Sequence, residues 1–259
     1  MRSRVTFLGT GDAFNAAGRG HSACLIEDDR GVCAIDFGPT APMALQKLGQ
    51  PSDAIGSVLL THFHGDHFAG LPFLLLDGLY QRRRVRPLLI GGPPGVEERV
   101  RALCQAAYRD LFAAPLPFEL RFVEWEAGRP VEIDGRRVLP LAALHQDLPE
   151  RAFSLRLESG GATIAFTGDT GWCDQLVGLA ADADLLVCEC SLGPSGGYDR
   201  HLGQPILATK LPLLRARRIV FTHLGEEARA QGHLLLTLPT APGLAVELLL
   251  GEDGLRVEL

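Results

Sequence analysis

An apolar run, Ile55 to Leu60, ends in Thr61-His62-Phe63-His64-Gly65-Asp66-His67. The run reads as a buried strand. The turn after it holds three of the chain's eight histidines together with an aspartate. Imidazole and carboxylate are the groups that hold zinc and similar cations. Histidine is scarce enough here that this clustering points to a metal site rather than to a loop of scattered polar residues. One loop does not close a metal shell, so the fold must carry other strand ends to the same edge.

Three further strand ends offer ligands. His145 follows the apolar run Val138 to Leu144, Asp169 follows Ala165-Phe166-Thr167-Gly168, and His223 follows Ile219-Val220-Phe221-Thr222. Ligands carried on rigid elements keep their geometry. Together with His62, His64, Asp66 and His67 they exceed what one tetrahedral ion takes. They suit two ions with one carboxylate between them. Two ions about 3.5–4 Å apart can clamp the attacking and leaving oxygens of a displacement and activate a shared hydroxide. That favours a hydrolase over a structural metal site, whose shell would be closed.

The rest of the chain sets bounds. Its 259 residues, 46% of them hydrophobic, fit one large domain over 1–259. A net charge of −6 lends no support to a chain-wide nucleic-acid footprint. No signal peptide is expected ahead of Val5-Thr6-Phe7-Leu8, and the most apolar stretch, Leu71 to Leu76, is too short to span a bilayer. The six cysteines include no Cys-x-x-Cys pair, and strand alternation points Cys188 and Cys190 to one face. Reduced thiols in a cytoplasmic protein are the expectation.

Apolar patterning predicts strands over 5–8, 23–27, 31–36, 55–60, 88–90, 118–124, 131–133, 137–144, 153–158, 162–167, 183–189, 218–222, 245–249 and 255–259. Helices are predicted over 42–48, 71–80, 95–108, 173–180 and 204–214. Strands followed by a helix recur in both halves. Two sheets facing each other, with helices outside, would bury such a pattern.

At the ligand series His62-x-His64-x-Asp66-His67, His145, Asp169 and His223 the chain resembles the metallo-β-lactamase superfamily, over most of its length. The resemblance implies an α+β fold, a four-layer αββα sandwich with the metals at one edge between the sheets. It implies that His62, His64 and His145 bind the first metal, that Asp66, His67 and His223 bind the second, and that Asp169 bridges. It also implies two divalent ions, zinc first, with manganese and iron accepted by the same donors, and a hydroxide between them as nucleophile. Asp66 thereby counts as a catalytic residue as well as a ligand. Asp36, in Ile35-Asp36-Phe37-Gly38, matches the superfamily's early aspartate, which orients the histidine loop.

Within the superfamily the chain is most similar to the ribonuclease Z and phosphodiesterase branch. Phe7-Leu8-Gly9-Thr10-Gly11, the histidine loop with Gly70-Leu71-Pro72, and Ile90-Gly91-Gly92-Pro93-Pro94-Gly95 carry this likeness. Where ribonuclease Z has histidine-glutamate-alanine-threonine, this chain reads Cys188-Glu189-Cys190-Ser191. The later histidine of that branch matches His201. The resemblance implies that His201, oriented by Glu189, is a general acid or a donor to a phosphate oxygen. Ribonuclease Z also carries a long tRNA-gripping arm between the third histidine site and the bridging aspartate. From His145 to Asp169 this chain holds only two strands and a turn.

The expected activity is therefore a binuclear metal-dependent phosphodiesterase acting on a small or short phosphodiester, without a membrane partner. Pre-tRNA cleavage, acyl-ester hydrolysis of the lactonase or thioesterase kind, and a metal-binding module without turnover are the rivals. A homodimer is expected from the resemblance alone. The run Arg82-Arg83-Arg84, with Arg86, is either a solvated face or a phosphate anchor, the former favoured. Asp12 and His21 are expected near the site but not as ligands. Trp172 is either a pocket wall or a core residue. Gly9-Thr10-Gly11 lacks the third glycine of a dinucleotide fingerprint.

Overall fold

Successive side chains of a strand point to opposite faces, and burial in this chain follows that rule on two sheets. The computed structural model describes residues 3–259. In the first sheet β1 (Arg4–Gly9), β2 (Ala23–Asp28) and β3 (Gly31–Ile35) run antiparallel. From β3 the sheet continues in parallel through β4 (Ile55–Leu59), β5 (Leu88–Gly92) and β6 (Leu120–Glu124). The second sheet repeats the scheme. Antiparallel β7 (Val131–Ile133), β8 (Arg136–Ala142), β9 (Phe153–Ser159) and β10 (Ala162–Phe166) lead into parallel β11 (Leu185–Glu189), β12 (Arg218–Thr222) and β13 (Glu247–Leu250). The last strand, β14 (Arg256–Glu258), returns to pair with β1.

The inner faces meet in one apolar layer, where Val5, Phe7, Ile35 and Leu59 join Leu155, Ile164, Val187 and Val220. The outer face of the first sheet (Leu25, Ala34, Val58 and Ile90) lies under α1 (Ala41–Leu48), the short α2 (Gly65–Phe68), α3 (Leu71–Tyr80) and α4 (Val96–Ala107). The outer face of the second (Leu186, Cys188, Ile219 and Phe221) lies under α5 (Gln175–Ala180), α6 (Gln204–Lys210), α7 (Glu226–Ala230) and α8 (Gly232–Leu235). The result is the expected αββα sandwich. Cys188 and Cys190 both point into the outer layer, and the six cysteines are free thiols. No helix among the described residues is long and apolar enough to cross a membrane.

Among the boundaries that differ from the sequence reading, three have a clear physical consequence. β8 stops at Ala142, so His145 sits in a loop rather than directly past a strand. β6 begins at Leu120, because Phe118 is drawn under the helices of the first sheet. α6 ends at Lys210 and gives way to a 3-10 turn over Leu211–Leu213, where Pro212 lacks the N–H that an α-helix would need. The arginine run divides: Arg82, Arg83 and Arg86 are exposed, as the favoured solvated face requires, and Arg84 departs from it. Arg84 is buried, and its guanidinium donates to the backbone carbonyls of Arg86, Pro87 and Asp53. It braces the turn after α3 instead of facing solvent or phosphate. Arg82 pairs with Asp77 at 3.5 Å.

At the end of the sandwich away from the histidine loop, a buried ion pair joins the sheets. Arg136 Nε and Nη2 donate to the two oxygens of Asp28 at 3.1 and 2.5 Å, and Ser159 Oγ donates to Asp28 Oδ2. Removing one partner strands the other charge in the interior, at a cost of about 3–5 kcal/mol. Asp28→Ala is therefore expected to lower unfolding free energy by about that amount in urea titrations. A midpoint equal to that of the parent protein would show that the pair does not hold the sheets.

Candidate metal centre

The site begins where β3 ends. Asp36 takes a left-handed backbone conformation, φ 56°, which turns its buried carboxylate toward the end of β4. There it accepts the N–H of Thr61 at 2.8 Å and the Thr61 hydroxyl at 2.9 Å. It also accepts from His67 Nδ1 at 2.7 Å, which leaves His67 Nε2 directed into the site. The loops approach closely enough for this only through glycine. A Cβ on Gly38 would lie 2.2 Å from the Asp66 carbonyl oxygen, and one on Gly70 would lie 2.3 Å from that of Gly38.

All seven residues singled out in the sequence as ligands come together. Two overlapping groups form, His62, His64, His145 and Asp169, and Asp66, His67, Asp169 and His223. Within each group the potential ligand atoms lie within 4.8 Å of one another. Asp169 is common to both. Its carboxylate oxygens are 3.3 Å from His67 Nε2 and His223 Nε2, and 3.8 Å from His62 Nε2 and His145 Nε2. Asp66 Oδ2 lies 3.1 Å from His223 Nε2 and 3.3 Å from His67 Nε2. His145 Nδ1 donates to the Arg200 carbonyl at 3.0 Å, which turns its Nε2 into the group, 3.0 Å from His64 Nδ1.

Whether the pocket fits a cation can be judged from His62. Its Nε2 is buried without any hydrogen-bond partner. An unpaired polar atom in the interior is costly, and a divalent ion would satisfy it. The donor set of imidazoles and carboxylates matches first-row divalent metals.

The two groups differ electrostatically. Burial pushes His62 well below the ordinary imidazole pKa, with His67 adding to the effect, and burial also lowers His64 and His145. Burial acts the same way on His67, but Asp169, Asp36 and Asp66 outweigh it and hold that residue well above the ordinary value. His223 is likewise raised against burial, to about 9, by Asp169 and Asp66. Burial disfavours the ionised carboxylates, yet His67 and His223 hold both Asp66 and Asp169 below the usual range.

Beside the second group stands Glu189, buried at the end of β11. His201 Nδ1 lies 2.9 Å from Glu189 Oε1, and the His201 and His223 rings stack with centroids 5.6 Å apart. Glu189 also accepts the N–H of Thr170, one residue past Asp169, at 2.6 Å. It therefore ties the His201 loop to the Asp169 loop. Against burial, the bond to Glu189 raises the pKa of His201.

Asp12 instead closes its own turn by accepting the N–H groups of Phe14 and Ala16. His21 bonds through its backbone to Thr40. Neither joins the ligand groups. Trp172 packs against the outer helical layer, beside Lys210, which resolves its two readings in favour of the core. Sequence reasoning passed over Thr61 and Ser191, which bond to the histidines and their carboxylates. Their signal was position, one residue before His62 and two after Glu189.

Residues 3–233 match the family model described as anti-Pycsar protein Apyc1. A ribonuclease Z of Mycobacterium bovis is 31% identical over 194 residues, covering 71% of this chain and 68% of its own. Among solved structures, the metallo-β-lactamase fold protein YhfI from Bacillus subtilis superposes with a TM-score of 0.78 at 19% identity, covering 99% of this chain and 98% of its own. The short form of human tRNase Z gives 0.75 at 24% identity, covering 98% of each chain. The chain has the metallo-β-lactamase fold and is ribonuclease Z-like.

The pKa pattern predicts how the site takes up metal. With pKa values raised, His67 and His223 carry protons at neutral pH, and His223 loses its proton as pH passes about 9. An ion must displace such protons, so affinity should rise with pH toward that value. The second group should release protons at pH 7, while the first, whose histidines are already neutral, should not. Calorimetric titration with zinc or manganese in buffers of differing ionisation heat reads this directly. Heats at pH 7 that do not depend on the buffer would contradict it.

Proposed function

The chain belongs to the anti-Pycsar protein Apyc1 family, and on that premise we propose that it is a binuclear metal-dependent phosphodiesterase. His62, His64, His145 and Asp169 would hold one divalent ion, and Asp66, His67, His223 and Asp169 the other. Zinc is the foremost choice, with manganese or iron suited to the same donors. When bound, two such ions supply Lewis acidity and a hydroxide nucleophile at neutral pH.

The observation that carries the phosphodiester reading is the Glu189–His201 pair, 2.9 Å apart and adjoining both ligand groups through Thr170 and His223. Glu189 holds the Nδ1–H of His201 and so leaves Nε2 to face a leaving oxygen. A raised pKa keeps a proton available on that ring near neutrality. Alkoxide leaving groups need such a proton, and a positioned donor contributes about 10²–10⁴ in rate.

The size of the substrate is read from the segment before Asp169. Between His145 and Asp169 stand only the loop after β8 and the β9–β10 hairpin. A surface of that extent favours a small or short phosphodiester over a tRNA precursor.

A panel of phosphodiesters, phosphomonoesters, lactones, thioesters and tRNA precursors, assayed with zinc or manganese, tests the proposal. Phosphodiesters are expected to turn over fastest. Preference for an acyl substrate, or cleavage of tRNA precursors without cleavage of minimal diesters, would overturn it. His201→Ala should cost about 10²–10⁴ in kcat on alkyl diesters and much less on nitrophenyl esters, whose leaving group needs no proton. Equal losses on both would remove the proton-donor role. Asp66→Ala should abolish turnover, and full activity in that variant would end the two-ion mechanism.

A further inference from the structure

Ser191 lies just beyond β11, two residues after Glu189, and its hydroxyl meets three groups at once. Ser191 Oγ is 2.7 Å from Glu189 Oε2, 2.8 Å from His223 Nδ1 and 3.1 Å from His201 Nδ1. A hydroxyl has one hydrogen to donate and two lone pairs to accept with. The buried Glu189 carboxylate only accepts, so the hydroxyl hydrogen goes to it. The two lone pairs then face the two imidazoles. His201 already gives its Nδ1–H to Glu189 at 2.9 Å, so the hydroxyl is left to accept from His223, which must carry hydrogen on Nδ1.

That arrangement decides what His223 can do. With Nδ1–H donated to Ser191, the nitrogen turned into the site is Nε2, the atom 3.1 Å from Asp66 Oδ2 and 3.3 Å from Asp169 Oδ2. The ring is held in the orientation that a ligand in the second group would need. Asp36 does the same for His67, and the Arg200 carbonyl does the same for His145. For His223 the orienting group is a side-chain hydroxyl, which also touches the proposed proton donor.

We propose that Ser191 is a positioning residue that sets the tautomer and orientation of His223 for the second metal and couples that ligand to the Glu189–His201 pair. The inference rests on the two-ion reading above. Partners that orient a metal-ligating histidine are worth about 10–100-fold in metal affinity. The site is asymmetric in this respect, since Ser191 touches His223 and none of the histidines of the first group.

Calorimetric titration of the full chain with zinc alone tests this without reference to turnover. The parent protein is expected to bind two ions. Ser191→Ala should weaken one of them about 10–100-fold and leave the other unchanged. Ser191→Thr, which keeps the hydroxyl, should restore the parent isotherm. Thermal melts of the metal-free proteins serve as the control for folding. Two ions bound by Ser191→Ala with parental affinities would overturn this inference alone, as would equal weakening of both. One ion in the parent protein would overturn the two-ion reading and this inference with it.

Discussion

The carboxylate of Asp169 is the point on which the site depends. Four histidine nitrogens from three different segments lie within 3.3–3.8 Å of it. Without its charge, His67 and His223 would lose the largest influence that raises their pKa values. With it, the two ligand groups share an edge and become one centre. Burial makes this interaction strong, because the low dielectric of the interior enlarges both attraction and the cost of an unpaired charge.

The backbone reaches that point by repeating one scheme. In each half, antiparallel strands change to parallel ones, at β3–β4 and at β10–β11. Parallel neighbours end at the same edge, so Asp36 and His62 leave the first sheet where Asp169, Glu189 and His223 leave the second. Facing the two sheets across the apolar layer brings those edges together. The Arg136–Asp28–Ser159 cluster closes the other end. A sandwich pinned at that far end keeps the histidine edge in register, as the geometry of a candidate metal centre requires of its supports.

Around the seven residues stands a ring of orienting groups, each with a different chemistry. Asp36 serves His67, a backbone carbonyl serves His145, and Ser191 lies against His223. Glu189 gathers the Thr170 amide, the Ser191 hydroxyl and His201. His62 Nε2 is buried without a protein partner. The histidines whose pKa values burial lowers lie on one side and those that carboxylates raise lie on the other. The acidic neighbours Asp36 and Asp66 stand on the His67 and His223 side.

Much of this was legible in the chain. Short apolar runs bounded by turn residues marked the strands, and His62, His64, Asp66, His67, His145, Asp169 and His223 stood out because polar ligand types ended apolar runs. Those features are local, and local pattern is what a sequence records. The His145 loop, the break after Lys210 and the burial of Arg84 were not legible, because each is settled by packing between distant segments. The sequence by itself determined which residue types the strand ends present and that two apolar faces needed cover. The tertiary structure alone decided that Arg84 is a strut and that Ser191 joins two histidines. Those are distances between segments far apart in the chain, set by how two sheets meet.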